Sequence, residues 1–143
     1  MSESGKIFQV RQSLNVNGKT RTIEFTINRG GPETGENMQS IILQATEEGK
    51  RVLSIRVERE MVTDPGEGTI YKFTIDIDRN DMGTKTKLTA EIESRGRDFA
   101  WFNVPDSINV AYLHKKSVES LVAEFTRDLL DFLSSHVRVK EEE

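Results

Sequence analysis

The stretch Ile41-Ile42-Leu43-Gln44-Ala45-Thr46-Glu47-Glu48-Gly49-Lys50-Arg51-Val52-Leu53-Ser54-Ile55-Arg56-Val57 decides how this chain folds. Ile41, Leu43 and Ala45 recur at every second position, and so do Leu53, Ile55 and Val57. Successive side chains of a strand point to opposite sides, so this spacing gathers each apolar set on one face. Glu48-Gly49 lies between the two patterns and can turn through its glycine.

The same alternation extends in both directions. Ile23, Phe25 and Ile27 interleave with Thr22, Glu24 and Thr26. Tyr71, Phe73, Ile75 and Ile77 repeat the pattern, as do Leu88, Ala90 and Ile92. The intervening residues are largely Thr, Lys, Arg, Asp and Glu, which predicts a sheet with one wet face; such sheets are usually antiparallel. Asn17-Gly18 suits a two-residue turn that needs positive φ at both positions. Asn80-Asp81-Met82-Gly83 and Arg95-Gly96 are further hairpin candidates, with longer connections at Gly30–Gly35 and Thr63–Gly68. The expected strands are 7–16, 20–29, 38–46, 51–60, 69–78, 85–94 and 98–104. Their connections are too short for helical crossovers, which makes a meander the expected order.

The period then changes. Val118, Leu121, Val122, Phe125, Leu129, Phe132 and Leu133 follow helical spacing, with Ser117 as the expected N-cap. Leu130 lies off this stripe and widens it. A helix apolar over so much of its surface has two readings, one broad core face or a second contact with another subunit. Leu129, Leu130 and Leu133 on the second side of the helix, together with an exposed sheet edge, are the candidate oligomer surface. The predicted fold class is α+β: about seven strands in a twisted antiparallel meander, followed by a C-terminal amphipathic helix.

At 143 residues, one domain over 1–143 is the default, with 1–5 and 139–143 expected to be disordered. Charged residues make up 31% of the chain, against about 25% in an ordinary domain, while the regular apolar pattern argues against disorder. Cysteine is absent, which removes disulfides, thiolate metal sites and cysteine nucleophiles together. No apolar run is long enough to span a membrane, and Met1–Lys6 reads as neither signal nor transit peptide. The net charge of −4 argues against a dedicated nucleic-acid binder, although a local basic patch remains compatible with it.

Catalytic signatures are missing. Asp76, Asp78 and Asp81 lack the glycine and glutamate positions of a calcium loop and read as a strand's wet face running into a turn. His114 and His136 stand apart without clustered partners; His136 suits a helix C-terminus, where a cation is favoured. Gly30-Gly31-Pro32 fits no phosphate-binding loop. The expectation is no enzyme, no catalytic residue, no cofactor and no metal. Lys50, Arg51, Arg56 and Arg59, with Lys85 and Lys87, read either as a basic stripe for a partner or nucleic acid, or as a solvated face of mixed charge. Phe99, Trp101 and Phe102 can stack bases, but core or subunit packing is the favoured reading.

Three stretches resemble the mitochondrial glycoprotein family, whose best-known member is the acidic matrix protein also described as a complement globular-head receptor and hyaluronan-binding protein. They are Val10-Arg11 leading to Ile23–Asn28, the hairpin Thr46–Leu53, and the helix Phe125–Leu133, with Ile70-Tyr71-Lys72-Phe73 in the expected order between them. The family's long acidic loop after the second strand is shortened here to Gly30–Asn37. The resemblance implies a seven-stranded antiparallel sheet with helices on one side and a ring-shaped homotrimer. It also implies a non-catalytic adaptor or chaperone of the mitochondrial matrix that supports translation and RNA processing and binds basic proteins or ribosomal factors. The alternatives are an RNA- or single-stranded-DNA-binding sheet, and a small-ligand carrier with the sheet curled around a cavity.

Overall fold

The computed structural model describes residues 6–29, 38–66, 68–81, 84–95, 98–103 and 116–136. The termini, His114, the Gly30–Gly35 connection and the turns at Met82-Gly83 and Gly96 lie outside them. The chain divides into two units, Met1–Asp98 and Phe99–Glu143.

The first unit is an antiparallel sheet of six strands in the order β1-β2-β3-β4-β5-β6, each paired with its sequence neighbour. The strands are β1 Lys6–Val16, β2 Lys19–Arg29, β3 Met38–Glu47, β4 Lys50–Asp64, β5 Gly68–Asp81 and β6 Thr84–Arg95. Register turns the alternation of each strand into rows across the sheet. Ile27 faces Ile41, Ile41 faces Val57, and Val57 faces Ile75. All four have 0% exposure. The neighbouring row carries Phe25, Leu43 and Ile55, also buried. Burying each such side chain contributes about 1.5–3 kcal/mol, and a slip of one residue would turn the whole row outward.

The turns have the chemistry the sequence predicts. Asn17 and Gly18 have φ of 54° and 80°, and Glu48 and Gly49 have 52° and 82°. Both are two-residue hairpin loops whose twist matches the flanking strands. Glu48 is an unusual occupant of that conformation. Its carboxylate accepts from the Thr20 N–H at 2.9 Å, and its own N–H donates to the Thr20 carbonyl at 3.2 Å. The β3–β4 turn is thereby tied to the start of β2.

The strand count is six rather than about seven, and the expected strand over 98–104 is absent from the described residues. Ala100–Phe102 is instead a short 3-10 helix. The Phe102 N–H donates to the Phe99 carbonyl at 3.0 Å, and the Asn103 N–H to the Ala100 carbonyl at 2.9 Å. Trp101 and Phe102 are adjacent and both nearly fully buried. Adjacent residues cannot share one face of a strand, and a tight helical turn brings both inward.

The second unit holds α1, Val118–His136. Ser117 caps it as expected, with Oγ accepting from the Ser120 N–H at 3.1 Å. Val118, Leu121, Phe125, Leu129 and Phe132 form the buried stripe. Phe99 lies 5.1 Å from Phe132 between ring centroids, and Trp101 meets Phe125 edge-on at 5.3 Å. No helix among the described residues is long and apolar enough to cross a membrane.

Two predictions follow from the backbone geometry. Gly49→Ala places a side chain at a φ of 82° and should cost about 1–2 kcal/mol in urea unfolding, whereas Gly66→Ala, at an ordinary φ, should cost less than about 0.5 kcal/mol. Ser117→Ala removes the bond to the Ser120 N–H and should lower stability by about 1 kcal/mol.

Candidate partner-binding face

The even-numbered residues of β2, β3 and β5, and those of β4 beyond its first three residues, point away from the apolar rows. With the odd-numbered residues of β1 and β6 they form one polar face. One row runs Gln9, Thr26, Ile42, Arg56, Asp76, Thr89. A second runs Arg11, Glu24, Gln44, Ser54, Asp78, Lys87. Towards the end opposite the Gly18 and Gly49 turns lie Glu58, Thr74 and Glu91, then Glu60, Lys72 and Glu93. That end is acidic: four carboxylates and one ammonium line an open hollow of about 480 Å³, with Glu58 and Glu93 paired to Arg56 and Arg95. Two smaller hollows lie on the same face, one beside Asp78, Lys85 and Lys87, the other beside Glu24 and Gln44.

Local pairs hold many of these charges. Arg56 donates through Nε and an Nη to the same Glu58 oxygen, at 3.0 and 2.8 Å. Asp76 accepts from the Thr89 hydroxyl at 3.0 Å, and Arg95 reaches Glu93 at 3.1 Å. The exposed i, i+2 ion pairs are worth little in stability, but they hold the charged groups in place along the strand.

The basic residues singled out from the sequence do not form one stripe. Arg51, Arg56, Lys85 and Lys87 share the polar face, whereas Lys50 faces Glu47 on the other parity. Arg51 reaches the polar face only because of a bulge: Ala45 pairs with Leu53 and Thr46 with Arg51, leaving Val52 as the extra residue. Arg56 is neutralised by Glu58, and Lys87 stands opposite Asp78. A solvated face of mixed charge describes this arrangement better than a phosphate-binding stripe.

Arg59 belongs elsewhere altogether. Three positions from Arg56, it points to the apolar side, where it is 4% exposed. It pairs with the Asp98 carboxylate, and its guanidinium carbon sits 5.3 Å from the Tyr71 ring centroid. Sequence reading grouped Arg59 with the exposed bases; strand parity was the signal that separates it from Arg56.

The aromatic residues proposed for base stacking are buried. Phe99, Trp101 and Phe102 are 2–4% exposed, and the Trp101 indole N–H donates to Asp128 at 2.9 Å. Of the three leucines proposed for a subunit contact, Leu129 is 2% exposed and already consumed within the protomer, Leu133 is half-buried, and Leu130 is 56% exposed. A lone exposed leucine is ordinary on a protein surface and makes a narrow contact. Asp76 and Asp78 lie on the polar face, as expected, and no set of three metal-ligating side chains converges among the described residues. No family model, characterised relative or solved structure matches this chain.

Arg59→Leu leaves the nearly buried Asp98 without its cation and should cost about 3–5 kcal/mol, read from the denaturation midpoint. Adding Asp98→Leu should recover most of that loss; a double variant as unstable as the single would show that packing around Arg59, not its charge, is responsible.

Proposed function

We propose that this chain is a non-catalytic, oligomeric binding protein that docks basic partners on the polar face of its sheet. The observation that carries this reading is the acidic end of that face, where Glu58, Glu60, Glu91 and Glu93 rim an open hollow around Lys72. Lys and Arg side chains of a partner can enter such a hollow without desolvating a deep pocket, and electrostatic attraction speeds the encounter. Several copies held together raise the effective concentration of the face for a partner with repeated basic segments. The resemblance to the matrix acidic proteins supports the same reading. From it come the proposed mitochondrial matrix location, the proposed support of translation and RNA processing, and ribosomal or RNA-processing factors as the basic partners.

Direct RNA binding has weaker support, since Arg56 is paired with Glu58 and Phe99, Trp101 and Phe102 are buried. The carrier reading is also weaker, because the hollows described above are open to solvent and each has charged residues in its lining.

The reading predicts that a lysine-rich peptide binds the protein with an affinity that falls as salt rises, and that Glu60→Lys weakens it by about tenfold. It also predicts a sedimentation mass above that of the 16.3 kDa chain. Binding indifferent to both salt and Glu60→Lys would overturn the docking face, and a monomer at every attainable concentration would overturn the multi-copy mechanism.

A further inference from the structure

The sheet ends in two edges, β1 and β6, and among the described residues no strand covers the outer side of β6. On the polar face this strand carries Lys85 and Lys87 in its first half and Glu91 and Glu93 in its second, followed at its end by Arg95, which pairs with Glu93; all are exposed. On the other face Leu88 is 44% exposed although it continues the row of Ile55 and Ile77. An edge that only needs protection from stray pairing is served by charges of any sign. From Lys85 to Glu93 this edge has an ordered sign pattern, positive then negative, and that pattern is complementary to itself reversed.

We infer that β6 pairs antiparallel with β6 of a second copy about a two-fold axis at Thr89. This deepens the oligomeric reading above, on which it rests, by naming the surface that joins the copies. Laid antiparallel with Thr89 facing its own equivalent, the strand places Lys87 opposite Glu91 of the second copy and Lys85 opposite Glu93. Each contact occurs twice, as an isologous interface requires. The same register sets the exposed Leu88 against Ala90 of the second copy, a residue small enough to admit it. Every pair joins residues of equal parity, so side chains stay on their faces and the backbone ladder closes without a bulge. Other registers lose this match: a shift of two residues one way brings Lys87 opposite Glu93 but sets Lys85 against Arg95, two like charges, and a shift the other way leaves Lys87 opposite Thr89. β1 offers nothing comparable. Its described polar-face residues are Gln9, Arg11, Ser13 and Asn15, and a two-fold at Arg11 would oppose two like charges.

The consequence is a continuous sheet of two protomers with both polar faces on one surface, in which Glu91 and Glu93 serve the contact and Glu58 and Glu60 of each copy are left to meet a basic partner. Such an arrangement supplies the repeated docking sites that multivalent binding needs.

The test is sedimentation of the intact chain with charge-reversed variants. Lys87→Glu and Glu91→Lys should each weaken self-association by about tenfold or more, because each puts like charges opposite one another twice. Combining both substitutions in one chain should restore it, and mixing the two single variants should yield a heterodimer. Glu91 faces only Thr74 on β5, so Glu91→Lys reads the interface even if Lys87→Glu, beside Asp78, unsettles the fold. Leu130→Glu on α1 should leave the dimer intact. Amides on the outer side of β6 should gain exchange protection as concentration rises. A trimer, or an oligomer that the β6 variants leave unchanged while Leu130→Glu dissociates it, would overturn the edge pairing and leave the binding reading standing. A β6-dependent dimer that ignores lysine-rich peptide would do the reverse.

Discussion

The row Ile27–Ile41–Val57–Ile75 is the constraint on which the rest of the sheet depends. Each of these residues comes from a different strand, and none is exposed. Because the side-chain period is two, placing this row inward leaves no freedom in any of the four strands: every neighbour's face follows from it. The charged residues therefore reach the polar face by default. Their positions across the sheet are consequences of apolar burial, with electrostatics refining only the rotamers.

That logic explains both the separation of Arg56 from Arg59 and the two exceptions to smooth alternation. Arg56 and Arg59 differ in parity, so one meets solvent and Glu58 while the other lies beneath Tyr71 and meets Asp98. A buried guanidinium needs a nearby carboxylate, and Asp98 answers it just after the sheet ends. The exceptions are the bulges. One sits between Lys6 and Phe8 of β1; the other, at Val52, reassigns Arg51 to the polar face immediately after a two-residue turn. A turn that holds Glu48 at a positive φ and a bulge four residues later, at Val52, act together to start β4 in the register that buries Ile55 and Val57.

The second unit follows a different economy. Its buried residues, among those described, are mostly aromatic: Phe99, Trp101, Phe102, Phe125 and Phe132 meet through edge-on and tilted contacts, and the one polar atom of the group, the indole nitrogen, finds Asp128. Large rings supply much buried area from few residues. The helix is begun by a serine whose side chain and carbonyl both serve the first turn.

Much of this was legible before any coordinates. Alternation in Ile23–Ile27, Ile41–Ala45, Leu53–Val57 and Tyr71–Ile77 predicted the strands, Asn17-Gly18 and Glu48-Gly49 predicted their turns, and Ser117 predicted the start of α1, because each of these signals is local and acts through the backbone of its own segment. The stretch 98–104 misled: Phe99 and Trp101 mimic period two, and only the burial of Phe102 beside Trp101 turns the segment into a helical turn. Which arginine would be buried, which face Arg51 would join and which residues would rim the acidic hollow were decided by cross-strand register, a relation between residues far apart in the chain. Periodicity along one strand assigns its two faces, but the neighbour across the ladder depends on turn length and bulges, and those are settled only when whole strands pack together.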